Sequence, residues 1–193
     1  CRGVMSGGPG PDGVIAGGLP DLTALTLPYE ELSDDDLRWR FVYVEASRGC
    51  PYRCSFCLSS LDKEVREFPE AELLSALDRL YQRGARHFRF VDRTFNLKPE
   101  SAIRLLEFWL ERMEPSLFVH FEMVPDRCPE ELREVVRKFP DGTLQFEVGI
   151  QTFDPDTSRR IQRPLRIAKV EENVGWLTTH TGVHLHTDLI VGL

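Results

Sequence analysis

From residue 40 onward the chain alternates between two hydrophobic rhythms. Short runs rich in aromatic and β-branched residues predict five strands: RFVYVEAS at 40–47, HFRFVD at 87–92, LFVHFEMV at 117–124, TLQFEVGI at 143–150 and VHLHTDLIVGL at 183–193. Between them, apolar residues recur at spacings of three, four or seven, as one buried helical face requires. The four sets are Leu73, Leu74, Leu77, Leu80 and Tyr81; Ile103, Leu106, Leu110 and Met113; Leu132, Val135, Val136 and Phe139; and Ile167, Val170, Val174 and Leu177. Punctuation agrees with these boundaries, since Pro69, Pro99 and Pro129 stand near helix starts, Gly84 and Gly182 follow helix ends, and Asp141-Gly142 marks a turn. Repeated strand, helix, strand units imply an α/β fold with a parallel sheet and right-handed crossovers. Periodicity does not decide whether that sheet is open or closed.

Composition narrows the function classes. A chain of 193 residues with 41% hydrophobic content can bury one sizeable core. Its net charge of −7 disfavours a bulk electrostatic grip on nucleic acid or on an anionic membrane, so neither is expected as a partner. No stretch approaches the roughly 18 apolar residues of a membrane span, and none has the basic start and small-residue cleavage site of a signal peptide. A cytoplasmic location is expected, which also keeps thiols reduced. The opening CRGVMSGGPGPDGVIAGGLP is Gly-rich and starts without Met, while DLIVGL stops inside an apolar run. Residues 1–38 are therefore expected to be a connector and 39–193 a domain that is incomplete at its C-terminal end.

The chemistry concentrates in RGCPYRCSFC, residues 48–57, where Cys50, Cys54 and Cys57 follow the spacing C-x-x-x-C-x-x-C. A structural zinc site usually takes four protein ligands, and a disulfide framework takes an even number. Three thiolates suit instead an iron-sulfur cube that keeps one iron open to a small molecule bound through nitrogen and oxygen. Gly49 and Pro51 give the loop a turn in which N–H groups can point at sulfur, and Arg48 and Arg53 offset the cluster's negative charge. The alternatives are a zinc knuckle that borrows Cys128 or Cys1, or three unrelated thiols.

Cys50, Cys54, Phe56 and Cys57 match C-x-x-x-C-x-aromatic-C, and on these residues the chain resembles the radical S-adenosylmethionine (SAM) superfamily. The resemblance implies a partial parallel (β/α)6 TIM-like barrel, truncated here after about the fifth strand, with a 4Fe-4S cluster on the loop after the first strand. It implies that the open iron chelates the amino and carboxylate groups of SAM, with Phe56 beside the adenine, and that a 5′-deoxyadenosyl radical then attacks a substrate of unknown identity. A low-potential electron donor of flavodoxin or ferredoxin type is implied as partner. GGLPDLTALTLPY, from residue 17, looks like the connector preceding the radical domain in cobalamin-binding members. Methyl transfer with cobalamin, bound by a domain outside this chain, is the leading expectation. The alternatives are a methylthiotransferase-like relative and a non-catalytic iron-sulfur or zinc module.

Ligands of such barrels sit at the carboxyl ends of the strands, so those ends supply the remaining candidates. Asp92 and Arg93 fall where many members carry Gly-Gly-Glu against the SAM amino group; this sequence departs from that pattern, and a helix cap or a salt bridge is the other role open to Asp92. Glu122 ends the third strand. Glu147 and Gln151 end the fourth, in a segment resembling one that approaches the SAM ribose, and either can instead belong to a polar layer inside the barrel. His184, His186 and Asp188 alternate on the fifth run and are expected to be polar residues of the barrel rather than metal ligands. Among Arg159, Arg160, Arg163 and Arg166, a solvated helical face is the plain reading, and Arg163 is the candidate for the SAM carboxylate.

Overall fold

The computed structural model describes residues 19–193; Cys1 and the first half of the expected connector lie outside the described residues. The connector's second half is packed rather than extended. Single 3-10 turns at Leu22–Ala24 and Pro28–Glu31 lead into α1 (Asp34–Trp39), which Ser33 and Asp36 open with a reciprocal capping box. Tyr29 and Leu37 from this segment are buried in the core, and the Tyr29 hydroxyl accepts from the Glu45 N–H at 3.1 Å.

β1 (Val42–Val44) begins the sheet, and the chain then makes β2 (Ser47–Arg48), the cysteine loop and β3 (Arg66–Glu67). The predicted run at 40–47 is thus broken. Only Val42–Val44 joins the main sheet, while β2 pairs antiparallel with β3 and closes the base of the loop, Ser47 opposite Glu67 and Arg48 opposite Arg66. Then follow α2 (Glu70–Gln82), β4 (His87–Phe90), α3 (Pro99–Leu110), β5 (Phe118–Glu122), α4 (Glu130–Val136), β6 (Leu144–Gln151), α5 (Pro155–Arg160), α6 (Ile167–His180) and β7 (His184–Leu189). The main sheet runs β1-β4-β5-β6-β7, and all four pairings are parallel. An order that follows the chain with a helix between strands is what consecutive βα units produce. The architecture is α/β with a five-stranded parallel sheet.

Alternation divides the sheet into two faces. Val42, Val44, Phe88, Phe90, Val119, Phe121, Leu144, Phe146 and Val148 are buried and share one core with Leu77, Leu80, Leu106, Trp109, Leu132 and Leu177 of the helices. Its centre is aromatic: Phe88 lies 4.4 Å from Trp109, Phe90 4.5 Å from Phe121, and Phe95 4.1 Å from Phe121, centroid to centroid. The opposite face carries Tyr43, Arg89, His120, Glu122, Gln145, Glu147, His184 and His186, which is polar chemistry. One face holds the fold together and the other is free for ligands.

Candidate functional site

Cys50, Cys54 and Cys57 are free thiols, the first two buried. The loop that presents them is fixed from four directions. Gly49 adopts φ +97°, and a Cβ there would run into the Glu64 carbonyl oxygen and stand 2.8 Å from its carbon, so only glycine fits. Cys50 N–H donates to the Asp62 carbonyl at 2.8 Å, and Ser55 N–H donates to the Ile161 carbonyl at 2.9 Å. On the sheet side, Asp92 accepts from the Ala46 N–H at 2.9 Å and from the Ser47 hydroxyl at 2.6 Å. The Arg163 Nη1 reaches Cys54 Sγ at 3.5 Å. Burial pushes the Cys50 thiol up, with Cys54 and Cys57 adding to the rise and Arg163 opposing it, so the three sulfurs and the guanidinium act on one another.

This donor set fits an iron-sulfur cluster. Among the described residues no three His, Cys, Asp or Glu side chains converge closely enough to share a single metal ion, whereas a cube takes each thiolate at a separate corner. Cys128 does not contribute. It lies in the hydrophobic core, and the charges that bear on it are Arg133 and Glu130 rather than any group of the 50–57 loop.

At the carboxyl ends of the strands, the parity of β4 decides which side chains meet the loop. Phe88, Phe90 and Asp92 point alike, toward the helices, and Asp92 is 4% exposed, with both oxygens engaged by Ala46 and Ser47. Burial raises its pKa to about 6 in spite of those bonds. Asp92 is therefore not gathered with the other candidates. Its neighbour Arg93 is, pairing with Glu122 at 2.6 Å and lying within the influence of Cys57 and Glu147. Burial raises the Glu122 carboxyl against the opposing pull of Arg93.

Gln151 sits at a register shift between Gly149 and Gln151, with φ 71°, a left-handed backbone uncommon for a residue with a side chain. Its carbonyl accepts from the Ile190 N–H at 2.9 Å, and its amide folds back over Gly149 where a Cβ would otherwise be. Arg163 Nη2 donates to the Gly149 carbonyl at 2.5 Å, which brings Gln151, Arg163 and Cys54 into one neighbourhood. Phe56 stands on the loop, 43% exposed. Asp188 pairs opposite Gly149 on β7 and faces His186 at 3.6 Å.

Deeper on the same face, His120 Nε2 and Glu147 Oε2 are 3.2 Å apart. Burial lowers the His120 pKa, and Arg89 lowers it further, against the opposing pull of Glu147. His120 Nδ1 is buried without a partner, and His186 adds to the charges around it. Sequence reasoning passed over His120, although it shares the parity of Glu122 two residues on. It also passed over Arg93 as a partner of Glu122, and over Ser158, whose carbonyl accepts from the Arg163 N–H at 2.9 Å and whose hydroxyl donates to the Arg163 carbonyl. No periodicity marks the last of these.

Residues 44–193 match the sequence profile described as the Radical SAM superfamily. Among curated proteins, the ribosomal protein uS12 methylthiotransferase RimO of Porphyromonas gingivalis is 27% identical over 161 residues, which is 79% of this chain and 37% of that protein. The hopanoid C-2 methylase of Rhodopseudomonas palustris is 26% identical over 181 residues, 90% of this chain and 34% of that protein. The chain thus spans about a third of the length of the curated relatives it matches. Among solved structures, the radical SAM methyltransferase TsrM of Kitasatospora setae, with cobalamin and a [4Fe-4S] cluster bound, superposes with a TM-score of 0.65 at 18% identity, covering 79% of this chain and 31% of that one. That likeness is one of fold, and the five-stranded parallel sheet is consistent with part of a radical SAM barrel. With the profile covering all of the sheet but Val42 and Tyr43, together with the loop bearing Cys50, Cys54 and Cys57, the chain belongs to the Radical SAM superfamily.

Proposed function

We propose that this chain is the SAM-binding core of a cobalamin-dependent methyltransferase. Membership of the family makes the chain a radical SAM enzyme core, with a 4Fe-4S cluster and SAM as cofactors and a reductant and a substrate as necessary partners. The observation that carries the reading is the loop itself: three free thiols on one turn, tied to β4 by Asp92 and to the 158–163 turn by Ser55 and Arg163. When bound, the cluster supplies the electron that opens the sulfonium bond of SAM.

The chain's own residues do the rest. Cys50, Cys54 and Cys57 hold the cluster, and Phe56 flanks the adenine. Glu122, oriented by Arg93, and Gln151, turned inward by its left-handed backbone, contact the amino acid and ribose parts of SAM. Asp92 works from behind the sheet by holding Ala46 and Ser47. The inner-face groups His120, Glu147, His186 and Asp188 line the space for the substrate, where paired donors and acceptors can fix its orientation. The electron donor is of flavodoxin or ferredoxin type, and the location is cytoplasmic, in keeping with free thiols and with the lack, among the described residues, of a helix long and apolar enough to cross a membrane.

Methyl transfer is supported by the likeness to the hopanoid methylase, which extends over 90% of this chain. The identity to RimO supports methylthio transfer as the second reading. Anaerobic reconstitution of the full-length protein separates them. A single cluster, stoichiometric binding of added cobalamin and SAM-dependent release of 5′-deoxyadenosine are expected. A second cluster without cobalamin binding favours methylthio transfer, and zinc in place of iron and sulfide overturns both.

A further inference from the structure

The turn that follows α5 is fastened to the cysteine loop more tightly than a connecting segment requires. Arg163 N–H donates to the Ser158 carbonyl at 2.9 Å, and the buried Ser158 hydroxyl donates in return to the Arg163 carbonyl. Gln162 between them takes φ 56°, and the Ile161 carbonyl receives the Ser55 N–H at 2.9 Å. The backbone of Arg163 is thereby set before its side chain is considered. Its Nη2 is then held on the Gly149 carbonyl at 2.5 Å, and its Nη1 is directed to Cys54 Sγ at 3.5 Å, across 109 residues of sequence. Arg163 is half-buried, and among the described residues its side chain bonds to the Gly149 carbonyl and the Cys54 sulfur and to no carboxylate. Of these two acceptors only the sulfur becomes anionic on ligating a cluster.

We infer that Arg163 is a positioning residue for the cluster, donating a charge-assisted N–H···S hydrogen bond to Cys54 that stabilises the cluster in its reduced state, and that the Ser158–Arg163 turn exists to aim it. One added electron increases the negative charge carried by the thiolate sulfurs, so a fixed cation and donor at one of them favours the reduced form and raises the reduction potential. With one terminal nitrogen on Gly149 and the other on Cys54, the side chain is committed to the loop rather than to the SAM carboxylate. The inference rests on Cys50, Cys54 and Cys57 holding the cluster, and the experiment keeps the two failures apart.

The full-length protein, reconstituted anaerobically without SAM, is titrated to equilibrium with a low-potential chemical reductant, and the reduced cluster is counted by electron paramagnetic resonance. Arg163→Gln is expected to keep its iron and to show a reduced-to-oxidised ratio about tenfold lower at the same poise, equivalent to about 59 mV for one electron; Arg163→Lys recovers part of the loss. An unchanged ratio in Arg163→Gln overturns the inference, and so does weakened SAM affinity at unchanged potential, which places the residue on SAM. If Arg163→Gln loses its iron, 15N-arginine labelling decides. Nitrogen coupling to the reduced cluster present in wild type and absent in Arg163→Lys upholds the contact, while coupling absent in wild type, or surviving in the variant, refutes it. A wild type without iron and sulfide fails at the cysteines, before Arg163 is at issue.

Discussion

Gly49 is the residue on which the loop turns. Any side chain at φ +97° is strained, and here its Cβ also meets the backbone of Glu64, which cannot swing aside as a long side chain can. Gly49→Ala is expected to leave the sheet folded and to abolish cluster assembly, read as iron content near zero with unchanged circular dichroism. Asp92 makes a prediction of a different kind. Its folded pKa of about 6 lies above the ordinary aspartate value of 3.8, so it contributes stability fully below about pH 3.8 and loses that contribution as pH rises through about 6. The loss is on the order of 3 kcal/mol at neutral pH. Asn at this position can accept from Ala46 and donate to the Ser47 hydroxyl, and it carries no charge to bury. Urea titrations at pH 5 and pH 7.5 are therefore expected to show Asp92→Asn gaining on wild type at the higher pH by about 1 kcal/mol. A pH-independent difference contradicts the assignment. The thiol spacing at 50–57 was legible because covalent chemistry dictates it. The direction of Asp92 was not read, although parity with Phe88 and Phe90 contained it, because a family pattern drew attention to the mouth of the barrel instead.

At the scale of elements, periodicity served the helices well, and the apolar sets assigned to α2, α3, α4 and α6 face the common core at every position except Ile167. It failed at 40–47. A run of alternating apolar residues reads as one strand, but after Val44 the chain leaves the sheet to pair with Arg66–Glu67, a partner that no local rule identifies. Short elements such as α1 and α5, six residues each, are likewise set by their caps, Ser33 and Asp154, more than by any stripe. Within α3, Trp109 is fully buried against Phe88, Phe90 and Phe108. Trp109→Ala is expected to cost about 3–5 kcal/mol. Denaturant unfolding measures this, and a cost under about 1 kcal/mol would mean that the aromatic centre repacks freely.

Across the whole molecule, the sheet is not uniformly protected. β5 and β6 each have a partner on both sides and bury the residues of their core face, whereas β7 has one partner in the described sheet and presents mostly exposed side chains. Amide exchange followed by mass spectrometry is expected to be slowest in β5 and β6 and faster by at least tenfold in β7, because opening an edge exposes less apolar surface than opening the centre. Equal rates would show that the sheet opens only as a unit.

The core that unites the sheet and helices contains Cys128 but none of Cys50, Cys54 and Cys57, and the loop bearing those three takes its shape from Asp92 and from the 158–163 turn. The fold and the cysteine loop are thus held by separate sets of contacts. Substitutions in the 158–163 turn can then alter the loop while the sheet and its helices keep their packing, so loss of iron and loss of fold are separable outcomes for this protein.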